Sequence, residues 1–590
     1  MASPPRRPAD LFTHLPAKMS ELHVTFLPIA IDPLSRFLSL FPWNSWSMAM
    51  DGVEKRSLSA WFHHLWQDIL FPGRASSPEE PWPGKFFLLL FLLAGILLFP
   101  AMNFPLFEPD ETRYAEIPRE MLASNEWVVP LLGGEPYLDK PPLYYWLTML
   151  SFQSFGVGPW QARLVPVLVT LLGLLTAMEL GRRITGNRAA FLAGLLLLLS
   201  PGYLLMGRLM VLDGLLSGCV TLALLSGFLA LKTETLSTRW WLFSSLATGF
   251  GLLAKGPIAI VLTAGPLFLG GLIDKRLARP TRWQWLAWLV GATALSLPWY
   301  ILIGLKQPGF FLYFLWEHHV LRFLEPFDHQ RGVFFYLPVL LFGMLPLTCL
   351  LWPWLKHLAC PEEKQRESRR VETGFLLLAG GWCVLFFSLS GCKLATYILP
   401  AFVPLALACG QFLDQSGLTR SRPWQRAGLA LFTFLILGHT LALPWYANYR
   451  SPLAAEAVVR QWCPDAGQTV RCFPRESNAF AFTLARQDLK HFRSKDFDSF
   501  RADLLSRPRT VVLCTHRHAL EGLKQLLPEH LTVTHEYRVA LPALGPLPVE
   551  IEKKVTKWLG ETALGLCDVA VIEKKVGGIE KTISLKPPGR

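Results

Sequence analysis

Charge is scarce in this sequence: 17% of its 590 residues are Asp, Glu, Lys or Arg, against 52% hydrophobic. That deficit excludes the string of soluble domains that the length alone would suggest. Long apolar runs recur from residue 85 to residue 446 and mark a polytopic membrane protein. Zinc-ligand spacing and CxxC pairs are missing from the ten cysteines, which removes structural zinc and a dithiol redox centre. Residues 1–80 lack a continuous apolar core followed by a small-residue cleavage site, so they do not read as a signal peptide. The net charge of +13 lies in short loops between apolar segments, with no stacking motif or basic groove beside it. Nucleic-acid binding is thereby excluded; topology and anionic lipid headgroups account for the basic residues.

What is present is mostly membrane span. Apolar segments run at about 85–103, 160–180, 188–206, 214–231, 239–254, 257–273, 284–303, 333–355, 373–390, 394–413 and 427–446. Leu143–Phe155 is also apolar, but short for a bilayer core of about 30 Å. The basic loops at 181–188, 274–282, 356–370 and 419–426 share a side with the basic N-terminus only if Leu143–Phe155 does not cross. It therefore reads as an interfacial or re-entrant helix, giving eleven crossings, or thirteen with two further short ones. The N-terminus is then inside and the C-terminal region outside. The expected organisation is a largely disordered cytoplasmic extension over 1–84, then a helical membrane domain over 85–446 with a first outer loop at 105–158. A small extracytoplasmic α/β domain over 447–550 and a tail over 551–590 follow. In the α/β domain, Thr510–Cys514 and Leu531–His535 read as strands, and Ser499–Leu505 and His518–Leu527 as helices. Cys463 and Cys472 either pair there or remain free thiols.

The densest polar stretch is Pro105–Pro142, PLFEPDETRYAEIPREMLASNEWVVPLLGGEPYLDKPP. Polar groups beside a span are costly unless paired or used. Asp110 and Glu111 open a helical run, where the helix dipole favours acids, and a carboxylate there also suits a general base or metal ligand. Arg113, and Lys140 ahead of Pro141 and Pro142, read either as snorkelling side chains or as phosphate ligands. Asp213, in RLMVLDG, needs a cation, with Arg208 five residues earlier as one candidate. His318 and His319 point to different helix faces, which disfavours one metal held by both. Lys393, in GCKLATY, taken alone is a snorkelling Lys. By the topology, 105–142, 208–214, 304–332 and 391–397 all face outward, and their convergence on one site is the working hypothesis.

Together, EPDETRYAEIPREMLASNEWVVP, YLDKPPLYYWL, RLMVLDG and GCKLATYILP resemble the bacterial membrane glycosyltransferases of the aminoarabinose (lipid A) transferase and dolichyl-phosphate-mannose-protein mannosyltransferase type, over residues 85–446. The resemblance implies a GT-C fold, a polyprenyl-phosphate-linked sugar donor and a glycolipid or protein acceptor. It also implies transfer on the outer face of the inner membrane, with inversion at the sugar. By position it implies Asp110 as general base and Asp213 as a second acid of the cavity. Arg113, Tyr114, Tyr137 and Lys140 are implied to hold the lipid phosphate, with Glu111, Arg208 and Lys393 as further substrate-binding residues. A divalent metal is the cofactor left open, near Asp139 and His319; the family has Glu before the Lys where this chain has Asp139. The rival reading, a transporter or flippase of lipid-linked sugars, predicts charges at the bilayer midplane and repeated halves. No second copy of the DETRY stretch occurs, and the acids lie at span ends.

Overall fold

The computed structural model describes residues 84–325, 328–359, 371–416, 418–463, 468–515, 519–539 and 567–575. The expectations for the N-terminal extension and for most of the tail lie outside the described residues. Helices occupy all eleven expected spans. Six are long and apolar enough to cross a membrane unaided, and a bent pair makes a seventh. Phe86–Leu98, Asn187–Leu198 and Ile258–Ile273 are apolar but shorter. The span expected at 333–355 is not straight: Val333–Gly343 and Leu347–Ala359 meet at 97°. Pro346 stands in the break, where its missing N–H and its ring interrupt the helical ladder. Leu143–Phe155 is a helix of 13 residues, shorter than a crossing requires.

Leu212–Leu231 is the hub of the bundle, packing against Pro159–Thr185, Thr238–Lys255, Ile258–Ile273 and Leu399–Ser416. At the periphery, Arg282–Lys306 and Arg422–Asn448 bury only 28% and 11% of their most apolar windows, leaving Leu297, Leu302, Leu429 and Phe434 exposed. Apolar surface this continuous is stable in lipid and not in water. The chain is a multi-pass membrane protein.

Two features outside the bundle position the site. The loop over 105–158 is ordered: a helix at Asp110–Ala123, a hairpin of β1 (Leu131–Leu132) and β2 (Glu135–Pro136), then Leu143–Phe155. Gly133 and Gly134 turn the hairpin at φ +63° and +78°, and the Glu120 carboxylate accepts both of their N–H groups at 2.8 and 3.0 Å. Beneath the loop, Met121, Tyr144, Tyr145, Met149, Phe152 and Met210 form one apolar cluster. The second feature is a five-stranded sheet of order β4-β3-β5-β7-β6, made of β3 (Val470–Phe473), β4 (Lys490–His491), β5 (Arg509–Cys514), β6 (Leu531–Tyr537) and β7 (Asp568–Lys574). β3 runs parallel to β4 and β5, while β7 is antiparallel to both β5 and β6.

β7 corrects the expected boundary at residue 550. The supposed tail supplies a strand inside the sheet, because its short run Val569–Ile572 is buried on both faces. The nine described cysteines are free, so Cys463 and Cys472 do not pair; Cys472 is a fully buried residue of β3.

Candidate active site

Asp110 and Glu111 are the first two residues of their helix, with Pro109 before them and no side-chain cap. One residue of separation turns them about 100° apart, and their surroundings diverge completely. Glu111 points inward, with its side chain 3% exposed. It pairs with Arg163 at 3.0 and 2.5 Å and accepts the N–H groups of Phe107 and Met210 at 3.0 and 2.9 Å. Arg163 also donates to the carbonyls of Met102, Phe104 and Pro105. With both partners satisfied, Glu111 anchors the loop and has no lone pair left for substrate.

Two further expectations fall in the same way. Arg208 donates to the carbonyls of Leu97, Pro100 and Ala101, closing the end of the first span; it does not pair with Asp213. Lys393 donates to the carbonyls of Ser390 and Arg331, which fixes the 391–397 boundary against the 304–332 loop. Both charges are taken up by backbone, so both residues hold structure.

Asp110 points outward, with its side chain 56% exposed and Arg113 at 3.8 Å. Tyr114 lies next to it, within the fields of Asp110, Arg113, Asp213 and Asp139. Burial, with Asp110 adding to it, holds the Tyr114 hydroxyl well above the usual phenol range. Tyr137 is raised too, first by burial and then by Tyr114 and Asp139. Both remain neutral hydrogen-bond donors at any physiological pH.

The other half of the site is built around Lys140 and Lys255. Asp213, in the first turn of Leu212–Leu231, is ion-paired with Lys255, whose ammonium stands 4.2 Å from the centre of the Tyr397 ring. Lys255 ends its helix, and the chain reverses at Gly256, φ +86°. A Cβ there would meet Phe314 Cζ at 2.8 Å and His319 Nε2 at 3.0 Å, so glycine lets the π-helical segment Leu312–Leu321 close over this turn.

Lys140 Nζ donates to His318 Nε2 at 2.7 Å, and Arg322 donates to the same nitrogen at 3.2 Å. Lys and Arg have no acceptor, so His318 Nε2 accepts and its proton sits on Nδ1. Burial, followed by the Lys140 charge, pushes His318 down to about 3; it is neutral. Burial also pushes Lys140 down to about 7; Asp139 opposes this, while Lys255 and Arg322 add to it. Burial works to raise Asp139, but Lys140 and the hydroxyls of Tyr313 and Tyr137 outweigh it and hold the carboxyl below its usual value. Tyr313 donates to Asp139 at 2.5 Å, and Arg322 holds Asp328 through two bonds of 2.9–3.0 Å.

The donor set for a divalent ion is incomplete. Asp139 accepts from Tyr313, and His319 Nδ1 donates to the Phe314 carbonyl at 2.5 Å, leaving Nε2 as its one acceptor. Among the described residues, no three His, Cys, Asp or Glu side chains gather at one point. The four stretches expected to face outward nevertheless meet: 105–142 contacts 208–214 through Glu111 and Met210, and 304–332 through Lys140 and His318. Lys255 joins 208–214 to Tyr397 of the fourth. Lys255, Tyr313, Arg322 and Tyr397 were not singled out from the sequence. Lys255 carried a usable signal, a lone charge in a two-residue turn on the side expected to face outward.

Residues 84–314 match the family model described as dolichyl-phosphate-mannose-protein mannosyltransferase. Similar curated proteins include undecaprenyl phosphate-alpha-4-amino-4-deoxy-L-arabinose arabinosyl transferases. That of Yersinia enterocolitica is 35% identical over 54% of this chain and 57% of its own length. That of Aeromonas salmonicida is 36% identical over 55% of this chain and 57% of its own length. A third, from Sodalis glossinidius, is 35% identical over 62% of this chain and 65% of its own length. The matched region thus spans 57% to 65% of the length of these relatives. The crystal structure of ArnT from Cupriavidus metallidurans bound to undecaprenyl phosphate superposes with a TM-score of 0.64 at 21% identity, over 83% of this chain and 97% of that one. At that identity the likeness concerns the fold, and the fold is GT-C.

Proposed function

We propose that this GT-C membrane protein, similar in sequence to aminoarabinose transferases and to protein mannosyltransferases, moves a sugar from a polyprenyl-phosphate-linked donor onto a lipid A-like glycolipid. The reaction takes place at the outer face of the inner membrane. The observation that carries the reading is Lys140. Its ammonium contacts a neutral imidazole and the Asp139 carbonyl at 3.1 Å, with Lys255 and Arg322 pressing further positive charge on it. A cation so placed gains most from an anion arriving, and a phosphate monoester is the anion this chemistry releases.

In the transfer, the bond between the anomeric carbon and the phosphate oxygen breaks, and that oxygen keeps the electron pair. Arg113, Lys140 and Arg322 stabilise the growing phosphate charge, and the neutral hydroxyls of Tyr114 and Tyr137 donate to its oxygens. The acceptor oxygen bonds to the anomeric carbon, and where it is a hydroxyl its proton passes to Asp110, the open carboxylate beside Arg113. Asp213 positions Lys255. The charges stand at helix ends, which supports transfer rather than passage across the midplane by a flippase. A protein hydroxyl as acceptor is the second reading, favoured by the mannosyltransferase family model over residues 84–314.

Mass analysis of the outer-membrane lipids and glycoproteins of a strain lacking this chain tests the proposal. One sugar is expected to disappear from the lipid A-like fraction and to return with the native chain but not with Asp110→Asn. Disappearance from a glycoprotein instead selects the second reading, and an unchanged profile in both fractions sinks both.

A further inference from the structure

Arg113 is reached from outside the membrane domain. Its Nη2 donates to Glu476 Oε1 at 3.2 Å, while Nη1 faces Asp110 at 3.8 Å. Glu476 belongs to the C-terminal domain, in the turn between β3 and the helix Asn478–Leu484. That turn is clamped from both sides. The Glu108 carboxylate accepts from Ser477 Oγ at 2.9 Å and from the Ala479 N–H at 2.8 Å. Arg475 is bonded through both its N–H and its carbonyl to the Thr515 hydroxyl. Below, Phe482 packs against Phe152 under the catalytic loop, with ring centres 6.0 Å apart. A carboxylate on so fixed a turn orients its partner instead of following it.

We propose that Glu476 is a positioning residue for the transfer: it holds the Arg113 fork so that one nitrogen stays on the C-terminal domain and the other stays over Asp110, where the donor phosphate docks. The inference rests on the reading of Arg113 as a phosphate ligand. It makes the C-terminal domain part of the active site, and it gives the sheet a role in recognising the donor that the membrane domain alone does not fill.

The test is a titration of undecaprenyl phosphate into the full-length protein in lipid nanodiscs, across Glu476→Ala, Glu476→Gln, Arg113→Ala and the double alanine variant. Glu476→Ala is expected to weaken binding about tenfold, the size of one charge-assisted hydrogen bond. Glu476→Gln, whose amide oxygen still accepts, should recover most of that loss and guards against misfolding as the cause. The double variant should bind no worse than Arg113→Ala, because Glu476 acts through Arg113. Native affinity in Glu476→Ala beside weakened Arg113→Ala, or losses that add in the double variant, overturns the inference alone. Native affinity in Arg113→Ala instead overturns the phosphate role assigned to that residue.

Discussion

Burial and pairing assign different tasks to side chains that the sequence presents as equivalent. Lys140 and Lys393 both open apolar segments, yet Lys393 is tied to two carbonyls while Lys140 faces a neutral His318, the Asp139 carboxylate and two further cations. Only the charged ammonium seats a phosphate, and burial pushes free Lys140 down to about 7. Donor kcat/KM, which reports the free enzyme, should therefore fall as pH rises through about 7, while kcat holds to higher pH because bound phosphate keeps the proton on Lys140. Lys140→Arg should flatten that fall. A native profile of kcat/KM that stays level from pH 6 to about 9 would show that Lys140 does not titrate there. The pair Glu111–Arg163 makes the complementary case. Arg163→Met strands a buried carboxylate, and the expected loss is about 3–5 kcal/mol, read as a lowered midpoint in chemical or thermal unfolding of the purified protein. Glu111 departs from the ligand role that the resemblance implies: its partner lies 52 residues away in sequence, and no local pattern reveals which of two adjacent acids turns inward.

Secondary-structure elements were legible where apolar runs or turn chemistry were continuous. The helices at the eleven apolar runs and the short helix Leu143–Phe155 could be read from hydrophobicity alone. The break before Leu347 could not, because the flanking residues stay apolar through the bend. β7 also escaped: four apolar residues between charged flanks carry little signal, and its place in the sheet depends on β5 and β6 as partners. The turn at Gly256 has the sharpest consequence at this scale. A methyl group there is strained by φ +86° and collides with Phe314 and His319, so Gly256→Ala should move the Leu312–Leu321 segment off Lys255. Its effect is expected as a raised donor KM with the protein still folded, measured on a monodisperse preparation. Unchanged kinetics would show that this closure does not shape the site.

The whole molecule brings together charges from four segments that are far apart in sequence. That convergence was foreseeable only through topology, which put 105–142, 208–214, 304–332 and 391–397 on one side before any contact was known. The same topology implies an outward turn at Lys255, but a single Lys resembles an ordinary anchor at the edge of a span and does not stand out. Glu476 was out of reach altogether: nothing in residues 447–550 links that turn to Arg113 until the sheet docks on the loop. The most direct test of the account uses purified protein in sealed lipid vesicles, supplied on one side with a polyprenyl-phosphate donor carrying a radiolabelled sugar and with a lipid A acceptor. Label should pass to the acceptor with equimolar release of polyprenyl phosphate, and Asp110→Asn should lower the rate by about a hundredfold or more. Label that crosses to the opposite leaflet still attached to its polyprenyl phosphate, with no free polyprenyl phosphate formed, would contradict it.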